Sequence, residues 1–411
     1  MEKIVRLVNS VDRGYEHLLS KIMNFGQLKE TRSGRVKSIF GEQLKFDLKD
    51  GLPIITTKKL YTKGIIHELL WFLQRPYNSH GSSNIEYLVK NNVHIWDDDA
   101  YRWFKEWVTK EVVSKGEGFW FLTAVSDDEI GEEPKFEPWV KNNEKRGNLT
   151  YLLNITKDEF IDLTLQRVEL RVKQRNCKEE RVYRFGDLGP IYGKQWRNFD
   201  GKNKTVDQIK NIIGTLKTNP NDRRMVCLAY NPSVLKEVAL PPCHMMMQFY
   251  TRKLSINERW ELYKNRGGDA EIYDKAINPW TPRQEKTTLN EELDIKRIPI
   301  YGLSCMYTCR SQDCFLGTPF NIASYAILTH MIAKLVNMAP DTLVASMGDC
   351  HIYEAHFDAV NEQLSRKGSD TLPKLVINGV QKNIEDFKYE DFKIIGYNPD
   401  PPIKAPLLVG M

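Results

Sequence analysis

The chain lacks any long apolar run, although 41% of its 411 residues are hydrophobic. None of the apolar runs approaches the ~20 residues that a helix needs to span a bilayer. The N-terminal stretch MEKIVRLVNSVDRGYEHLL has no apolar centre and no small-residue cleavage site, so it does not resemble a signal peptide. We therefore expect no contact with a membrane.

Cysteine is scarce and irregularly spaced. The seven cysteines include no CxxC pair and no spacing typical of a zinc site. Their odd number predicts reduced thiols in the cytoplasm, or in the host cytoplasm if the chain is viral. Cys305, Cys309 and Cys314 come closest to a cluster, and we interpret them as small side chains that fill a strand and a loop. No metal is expected.

The charge of the chain is nearly balanced. The formal net charge of +5 is small for this length, and no low-complexity tract or internal repeat is present. Such a balance favours local anion sites over a surface that coats nucleic acid, so no nucleic-acid partner is expected. The remaining composition is typical of a globular protein with a large core.

The periodicity of apolar residues predicts helices and strands along most of the chain. Two segments differ in texture and are interpreted as peripheral insertions into one catalytic domain over residues 1–411: a strand-rich subdomain at 103–183 and a charged segment at 253–299. The other predicted elements are a helix at 4–25, strands within 36–57, and apolar helices at 62–74 and 319–339.

One carboxylate stands inside the apolar helix at 62–74. Glu68 lies among Ile, Leu, Trp and Phe residues, where a charge is costly unless it is partnered or its pKa is raised. An exposed stripe of the helix and a buried functional position are equally compatible with the sequence. The choice stays open at this stage.

The stretch LPPCH at 240–244 is the strongest chemical signal. Cysteine is a strong nucleophile as a thiolate and needs cationic or hydrogen-bonding neighbours to become one. Arg223, Arg224 and Arg310 are candidates for that role. A Cys-His pair alone is also compatible with a small buried residue beside a structural histidine. A cysteine hydrolase is a further alternative, but no third orienting residue or oxyanion-hole motif is evident.

Further motifs are spread along the chain in a fixed order. They are SIFGEQLKFDL, TTKK and GIIHELLWFLQ near the start, DLGPIYGKQWR, NDRRMV, LPPCH, CRSQDCFLGTPFNIASY and GDCHIY in the middle, and LPKL and EDFKIIGYNPDPPIKAP near the end. Together they resemble thymidylate synthase and its pyrimidine hydroxymethylase relatives, and the resemblance covers most of the chain outside the two insertions. It implies an α/β (α+β) fold, with a large mixed β-sheet packed by long helices and a homodimer formed through the sheet.

The resemblance also implies substrates and roles. The substrates would be dUMP and 5,10-methylenetetrahydrofolate, and Cys243 would add to C6 of the pyrimidine. The other implied roles fall into three groups: proton handling and ordered water by Glu68, Tyr192 and His244; dUMP binding by Arg32, Arg310, Ser311, Asn321, His351 and Tyr353, with Arg223 and Arg224 reaching in from the second subunit; and folate contacts by Ile95, Trp96, Leu240, Asp313 and Phe320, with Lys58 and Lys59 near its glutamate tail.

Several positions depart from the family pattern, and they bear on the outcome of the reaction. The loop ETRSGRVKS is one residue shorter than usual, so Arg32 and Arg35 compete for the phosphate. Asp99 replaces the usual Trp or Asn, Ala355 replaces an Asn, and the tail after IKAP is about two residues longer. In the family, the loop arginine, the residue at 99 and the end of the tail together close the folate site to water. Changes at these positions would let water add to the transferred carbon. Hydroxymethylation to 5-hydroxymethyl-dUMP is therefore the favoured expectation, and methylation to dTMP is the alternative. A silent nucleotide-binding protein is a remote third.

Overall fold

The computed structural model describes residues 9–74, 84–113, 118–124, 137–138, 149–174, 180–272 and 288–408. Within these ranges the chain forms a mixed α/β structure. The helices are α1 (Ser10–Phe25), α2 (Thr62–Leu73), α3 (Glu86–Lys90), α4 (Asp97–Val108), α5 (Leu149–Asn154), α6 (Lys157–Leu165), α7 (Tyr192–Arg197), α8 (Gln208–Thr218), α9 (Ile256–Asn265), α10 (Leu289–Ile295), α11 (Gly317–Leu335) and α12 (Phe357–Ser365).

The strands alternate with these helices along the chain. They are β1 (Gln27–Thr31), β2 (Gly34–Asp47), β3 (Gly118–Ala124), β4 (Glu137–Pro138), β5 (Val168–Gln174), β6 (Glu180–Arg184), β7 (Phe199–Asp200), β8 (Thr205–Val206), β9 (Val226–Leu228), β10 (His244–Lys253), β11 (Tyr301–Asp313), β12 (Ala339–Tyr353), β13 (Lys374–Ile377) and β14 (Phe392–Ile395). Short 3₁₀ turns and one π turn at Thr109–Val113 connect some of them.

A six-stranded sheet forms the centre of the molecule. Its strand order is β1-β2-β12-β11-β10-β9, with β11 and β12 parallel and the other neighbours antiparallel. Side chains of β11 and β12 alternate between buried and half-buried because successive residues point to opposite faces. The buried face is covered by α1 and α11, and α2 packs on α11, so that the main core lies between helices and sheet. The predicted fold class is confirmed.

The two apolar helices lie close to their predicted bounds. α2 spans 62–73, and α11 starts at 317 but ends at Leu335, because Ala339 already begins β12. α11 is apolar on nearly every side and is almost wholly buried, as expected for a helix inside a core. Among the described residues, no helix is both long and apolar enough to cross a membrane.

The predicted strand region at 36–57 is only partly correct. β2 ends at Asp47, and the following segment is buried without joining the sheet. Its backbone groups pair elsewhere: Leu52 N–H donates to the Pro373 carbonyl and Thr56 N–H to the Asp12 carboxylate. The sequence of the segment is typical of a strand, but its backbone groups form hydrogen bonds with partners outside any strand.

The two proposed insertions contain structure of their own. Strands β3 to β6 form a separate antiparallel sheet in the order β4-β3-β5-β6. Phe104 of α4 packs on Phe160 and Phe185, so this region shares the main core. The second segment carries α9 and α10 around a small cluster that includes Tyr263 and Leu293. α4 crosses the predicted boundary at 103, and the domain boundaries themselves stay a prediction.

Candidate active site

The topology brings the conspicuous polar islands to one end of the central sheet. Since β10 runs antiparallel to β11, and β12 parallel to it, the start of β10 lies beside the ends of β11 and β12. His244 pairs with Cys309 and Asp313 with His351 in the strand register. A register shift between His244 and Met246 bends the start of β10, and such bulges commonly re-aim side chains near active sites.

Backbone hydrogen bonds hold the loop that precedes β10, here called the nucleophile loop (residues 239–243). The Arg310 guanidinium donates from Nε to the Pro242 carbonyl at 2.9 Å and from Nη2 to the Pro241 carbonyl at 2.8 Å. Arg310 N–H donates to the Cys243 carbonyl, and Cys243 N–H donates to the Tyr192 hydroxyl oxygen, both at 2.9 Å. The loop thus presents Cys243 in one fixed orientation.

The thiol of Cys243 has one cationic neighbour. Arg310 Nη2 lies 3.8 Å from Cys243 Sγ. Burial raises the pKa of Cys243 above the ordinary value of a thiol, and the Arg310 guanidinium partly lowers it. Cys243 remains partly accessible although protein atoms surround it. The resting thiol is therefore protonated near neutrality and depends on its surroundings for activation.

An aromatic wall stands next to the thiol. Tyr192, at the start of α7, has its ring centroid 4.8 Å from that of Phe72, 6.2 Å from Trp96 and 5.2 Å from His244. The turn before α7 is tightly packed: Gly189 has φ +76°, and a Cβ there would lie 1.9 Å from the Glu237 carbonyl oxygen. Only glycine fits this close approach, which fixes α7 against the segment that leads into the nucleophile loop.

Glu68 does not lie on an exposed stripe of its helix, and its functional role stays a prediction. Its carboxylate accepts a hydrogen bond of 2.8 Å from the Trp96 indole N–H. Burial raises the pKa of Glu68 from 4.5 to about 7, and the Trp96 hydrogen bond counteracts this in part. Glu68 is half-buried, which, like Cys243, fits a position on the cleft wall. A carboxyl group with this pKa can both donate and accept a proton at neutral pH.

His244 is not poised as the base of a cysteine hydrolase. Its Nδ1 lies 3.1 Å from the Tyr325 hydroxyl, and burial lowers its pKa to about 4, despite a hydrogen bond with Asn321 that raises it. A neutral imidazole of such low basicity cannot hold the thiol proton at neutral pH. Asn321 also donates to Gln312 Oε1 at 3.3 Å. Its amide therefore lies beside His244 at the start of α11.

Four more of the predicted site residues lie at the same end of the sheet. Ser311 and Asp313 end β11; His351 and Tyr353 end β12, with their rings in an edge-to-face contact at 5.2 Å. Asp313 Oδ1 accepts from the backbone N–H groups of Phe315 and Leu316. Ile95, Leu240 and Phe320 are half-buried and pack against the main core.

The loop segment ETRSGRVKS, which spans the turn between β1 and β2, offers two arginines in different situations: Arg32 lies in the turn, and Arg35 lies near the start of β2. Arg35 forms ion pairs with Glu30 at 3.0 Å and Glu354 at 3.2 Å. Arg32 is exposed, and its charge acts on both Tyr353 and Asp99. The geometry leaves Arg32 as the arginine of this loop that faces the candidate site.

The predicted lysines and the arginine pair Arg223-Arg224 differ in burial. Lys58 is buried: its ammonium donates to the Phe315 carbonyl at 2.6 Å and lies 3.3 Å from the Phe315 ring centroid. Burial lowers the pKa of Lys58 to about 7, although Asp313 raises it. Lys59 is exposed. Arg223 and Arg224 are exposed beside β9, away from Cys243.

One contributor to this region escaped the sequence reasoning. Arg102 of α4 donates from Nη2 to Asp99 at 2.8 Å and to the Ala239 carbonyl at 2.9 Å. The only available sequence signal was an acidic and a basic residue spaced three apart on a helix. Within the described ranges, no group of three or more histidine, cysteine or acidic side chains is arranged to hold a metal.

Comparison with known proteins gives a consistent result over almost the whole chain. A family model described as thymidylate synthase matches residues 13–409. The chain is 35% identical over 398 residues to a thymidylate synthase of Listeria monocytogenes, covering 96% of this chain and 99% of that protein. It is 35% identical over 408 residues to that of Staphylococcus haemolyticus, covering 98% and 100%. Matches of this extent show that the chain belongs to the thymidylate synthase family, enzymes that transfer a one-carbon unit from 5,10-methylenetetrahydrofolate to C5 of a pyrimidine nucleotide.

Proposed function

We propose that this enzyme methylates dUMP reductively to dTMP, with 5,10-methylenetetrahydrofolate supplying both the carbon and the hydride. The observation that carries the proposal is the buried Trp96, which donates to the Glu68 carboxylate and makes an edge-to-face contact with Tyr192. An apolar wall there excludes water from the reacting carbon and leaves hydride transfer as the way forward. The thymidylate synthase name of the bacterial relatives supports the same outcome.

The first step is the addition of Cys243 to C6 of the pyrimidine. The sulfur–carbon bond forms, the C5–C6 double bond is broken, and the electron pair moves to C5 and O4. C5 then attacks the one-carbon unit of the folate. After C5 loses its proton, tetrahydrofolate leaves, its hydride reduces the exocyclic methylene, and Cys243 is expelled. The products are dTMP and dihydrofolate, and the proton at C5 has passed to the enzyme or solvent.

The proton steps fit the groups opposite Cys243. Glu68, with a pKa of about 7 caused mainly by burial, can exchange protons through ordered water near O4. Neutral His244 and Tyr192 offer hydrogen bonds to such water without changing charge. Asn321 offers a donor and an acceptor, which complement O4 and N3–H of uracil. His351 and Tyr353 are the proposed partners of the deoxyribose hydroxyl.

The phosphate of dUMP is assigned to Arg310, Ser311 and Arg32. Guanidinium groups match phosphate oxygens in a bidentate manner. Arg310 already sits at the nucleophile loop, so the same side chain can contact phosphate and thiol. Arg35 is less suited because Glu30 and Glu354 hold its guanidinium.

The folate is assigned to the outer wall of the cleft. Ile95, Trp96, Leu240 and Phe320 give this wall its apolar surface. Asp313 is the proposed polar partner of the folate ring. Lys58 is buried and its ammonium donates to the Phe315 carbonyl, so we assign the glutamate tail to the exposed Lys59.

A homodimer completes the proposed site. Arg223 lies beside Gln248, which donates to its carbonyl at 3.4 Å, and Gln248 is five residues along β10 from Cys243. That separation corresponds to about 17 Å of strand, so these arginines do not reach the phosphate of their own protomer. Arg224 is 89% exposed. Tyr250 of β10 is an exposed aromatic residue on the sheet, which also favours a partner there.

Hydroxymethylation is the second candidate, favoured by the replacement at Asp99. Asp99, where the family pattern has Trp or Asn, is a buried carboxylate three residues after Trp96 and accepts a hydrogen bond from Arg102. Water that enters there could add to the methylene, which would release tetrahydrofolate unoxidised. The bacterial thymidylate synthase relatives favour methylation, contrary to the preference drawn from the sequence alone, and they do not support a viral origin.

The test is to incubate the purified enzyme with dUMP and 5,10-methylenetetrahydrofolate and to follow both products. We expect one dihydrofolate for each dTMP. Formation of 5-hydroxymethyl-dUMP without dihydrofolate would replace the proposal with the second candidate. A Cys243→Ser variant should lose turnover by about four orders of magnitude or more. Full turnover in that variant would overturn the mechanism for both products.

A further inference from the structure

Four of the five carbonyl groups in the nucleophile loop accept hydrogen bonds from arginines. Arg310 holds those of Pro241, Pro242 and Cys243. The fourth, that of Ala239 at the start of the loop, is held by Arg102, which lies 137 residues earlier in the chain. The loop is thus fixed at both ends, and Arg102 holds the end nearest to the proposed folate wall.

Arg102 is itself fixed by two carboxylates of its own helix. Its Nη2 donates to Asp99 at 2.8 Å and its Nη1 to Glu106 at 2.9 Å. Asp99 is 7% exposed and Arg102 only partly exposed, so the Asp99 contact is made away from bulk water. Hydrogen bonds between charged groups in such surroundings are short and directional. The guanidinium therefore has one defined position from which it reaches Ala239.

The held segment also connects to the aromatic wall. Ala239 N–H donates to the Leu188 carbonyl at 2.9 Å, directly before the tight Gly189 turn that leads to Tyr192. The Tyr192 hydroxyl in turn accepts from Cys243 N–H. Displacement of Ala239 would therefore disturb both the sulfur and the group that orients it.

We propose that Arg102 is a positioning residue for catalysis, which holds the nucleophile loop against α4 so that Cys243 stays in contact with Arg310. This role deepens the proposed function and rests on Cys243 being the nucleophile. Removal of Arg102 would leave the Ala239 carbonyl free and the Asp99 carboxylate buried without its partner. The expected result is a loop that samples positions in which the sulfur is farther from Arg310.

Lys105 provides a matched control on the same helix. Its ammonium also donates to two backbone carbonyls, those of Leu153 and Ile155, at 2.7 and 2.8 Å. These carbonyls belong to the region at 149–174 and not to the nucleophile loop. Lys105→Met and Arg102→Met therefore both remove a cation that ties α4 to a loop, but only the second touches the site.

The experiment compares Arg102→Met, Arg102→Lys and Lys105→Met with the wild type in the full-length enzyme. Steady-state assays give kcat and KM for dUMP, calorimetry gives the Kd of dUMP alone, and iodoacetamide alkylation of Cys243 is followed against pH. We expect Arg102→Met to lose kcat about tenfold to a hundredfold, because misplacement of about 1 Å has effects of that size. The Kd of dUMP should change by less than about threefold, since the phosphate contacts remain.

The alkylation measurement distinguishes a positioning role of Arg102 from a general loss of protein stability. The pH midpoint of alkylation should rise in Arg102→Met, because the sulfur loses part of its contact with the Arg310 cation. Arg102→Lys should be intermediate, since an ammonium reaches Asp99 or Ala239 but lacks the planar fork that reaches both. Lys105→Met should match the wild type in kcat and midpoint, whatever its melting temperature.

Two results would overturn the proposal. One is an Arg102→Met enzyme with kcat within about twofold of Lys105→Met and an unchanged alkylation midpoint. The other is an equal loss in both methionine variants, which would assign the effect to packing of α4. If the wild type forms no dTMP, the proposed function fails, yet the alkylation midpoints still test the role of Arg102. If Arg102→Met does not fold, the comparison of Arg102→Lys with Lys105→Met decides, with kcat and the pH midpoint of alkylation as the two measurements.

Discussion

Glu68 allows a prediction in which activity and stability change in opposite directions. Burial raises its pKa from 4.5 to about 7, so the folded protein binds this proton more tightly than the unfolded chain does. The stability associated with the protonated carboxyl is fully present below about pH 4.5 and is lost as the pH rises through about 7. Glu68→Gln replaces the carboxyl with a group that is neutral at every pH and that can still accept from the Trp96 indole.

The magnitude follows from the two pKa values. A difference of one in pKa corresponds to about 1.4 kcal/mol. Burial of the Glu68 carboxyl therefore lowers the free energy of unfolding by about 3 kcal/mol at pH 8, where the folded protein holds it ionised, and by about 1 kcal/mol at pH 5.5, where it takes up a proton on folding. The free energy of unfolding of Glu68→Gln should therefore exceed that of the wild type by these amounts. The same variant should lose about a hundredfold or more in kcat, because the proton relay near O4 is removed.

The assay is urea unfolding of the wild type and Glu68→Gln, followed by tryptophan fluorescence between pH 5.5 and 8.5. Glu86→Gln is the control without a pH dependence in this range. Burial alone would raise the pKa of Glu86, but hydrogen bonds from Lys90 and Arg167 lower it overall below 4.5. Its stabilising effect is therefore fully present above about pH 4.5 and is lost only at lower pH, so the stability difference between Glu86→Gln and the wild type should stay flat from about pH 5.5 to 8.5. A stability difference between Glu68→Gln and the wild type that stays flat over this range would refute the reasoning.

Two further predictions concern the nucleophile and the phosphate. Tyr192→Phe removes the oxygen that accepts from Cys243 N–H and should lower kcat by about tenfold to a hundredfold, because an unpaired buried group costs about 1–3 kcal/mol. Steady-state kinetics measures this loss, and circular dichroism checks that the variant is folded. A kcat within about twofold of the wild type would contradict the prediction. Arg32→Ala should raise KM for dUMP about tenfold or more, whereas Arg35→Ala should change it by less than about threefold; the reverse ranking would assign the phosphate to Arg35.

Local pattern was sufficient for much of the fold. α2 and α11 were predicted because long apolar segments bounded by polar residues leave few alternatives to a buried helix. The strand-like alternation at 36–47 became β2, but the same pattern failed at 54–57. There the partners are Asp12 of α1 and a distant loop, and no local rule identifies partners that are far away in sequence.

The candidate site, like the fold, was predictable where local motifs determine it and not where contacts distant in sequence do. The order of the polar islands predicted which residues meet, and the sheet topology brings most of them to one end. The burial of Glu68 was undecided in the sequence, because the contact that fixes it comes from Trp96 on another element. Arg102 was missed for a related reason. Its helical pair with Asp99 looks like an ordinary surface ion pair, and only the fold reveals Ala239 as its third partner.

The groups around Cys243 limit how its proton can leave. His244, with a pKa of about 4 caused by burial, is too weak a base, and burial raises the pKa of Tyr192 well above its ordinary value. Of Glu68, Tyr192 and His244, the three groups to which proton handling is assigned, only Glu68 has a pKa near neutrality. A thiolate must then arise from the Arg310 contact and exchange with water, with Glu68 free to serve the pyrimidine. Changes that weaken the contact between Cys243 and Arg310 should therefore slow methylation and hydroxymethylation alike, whereas changes at Asp99 should alter the ratio of the two products.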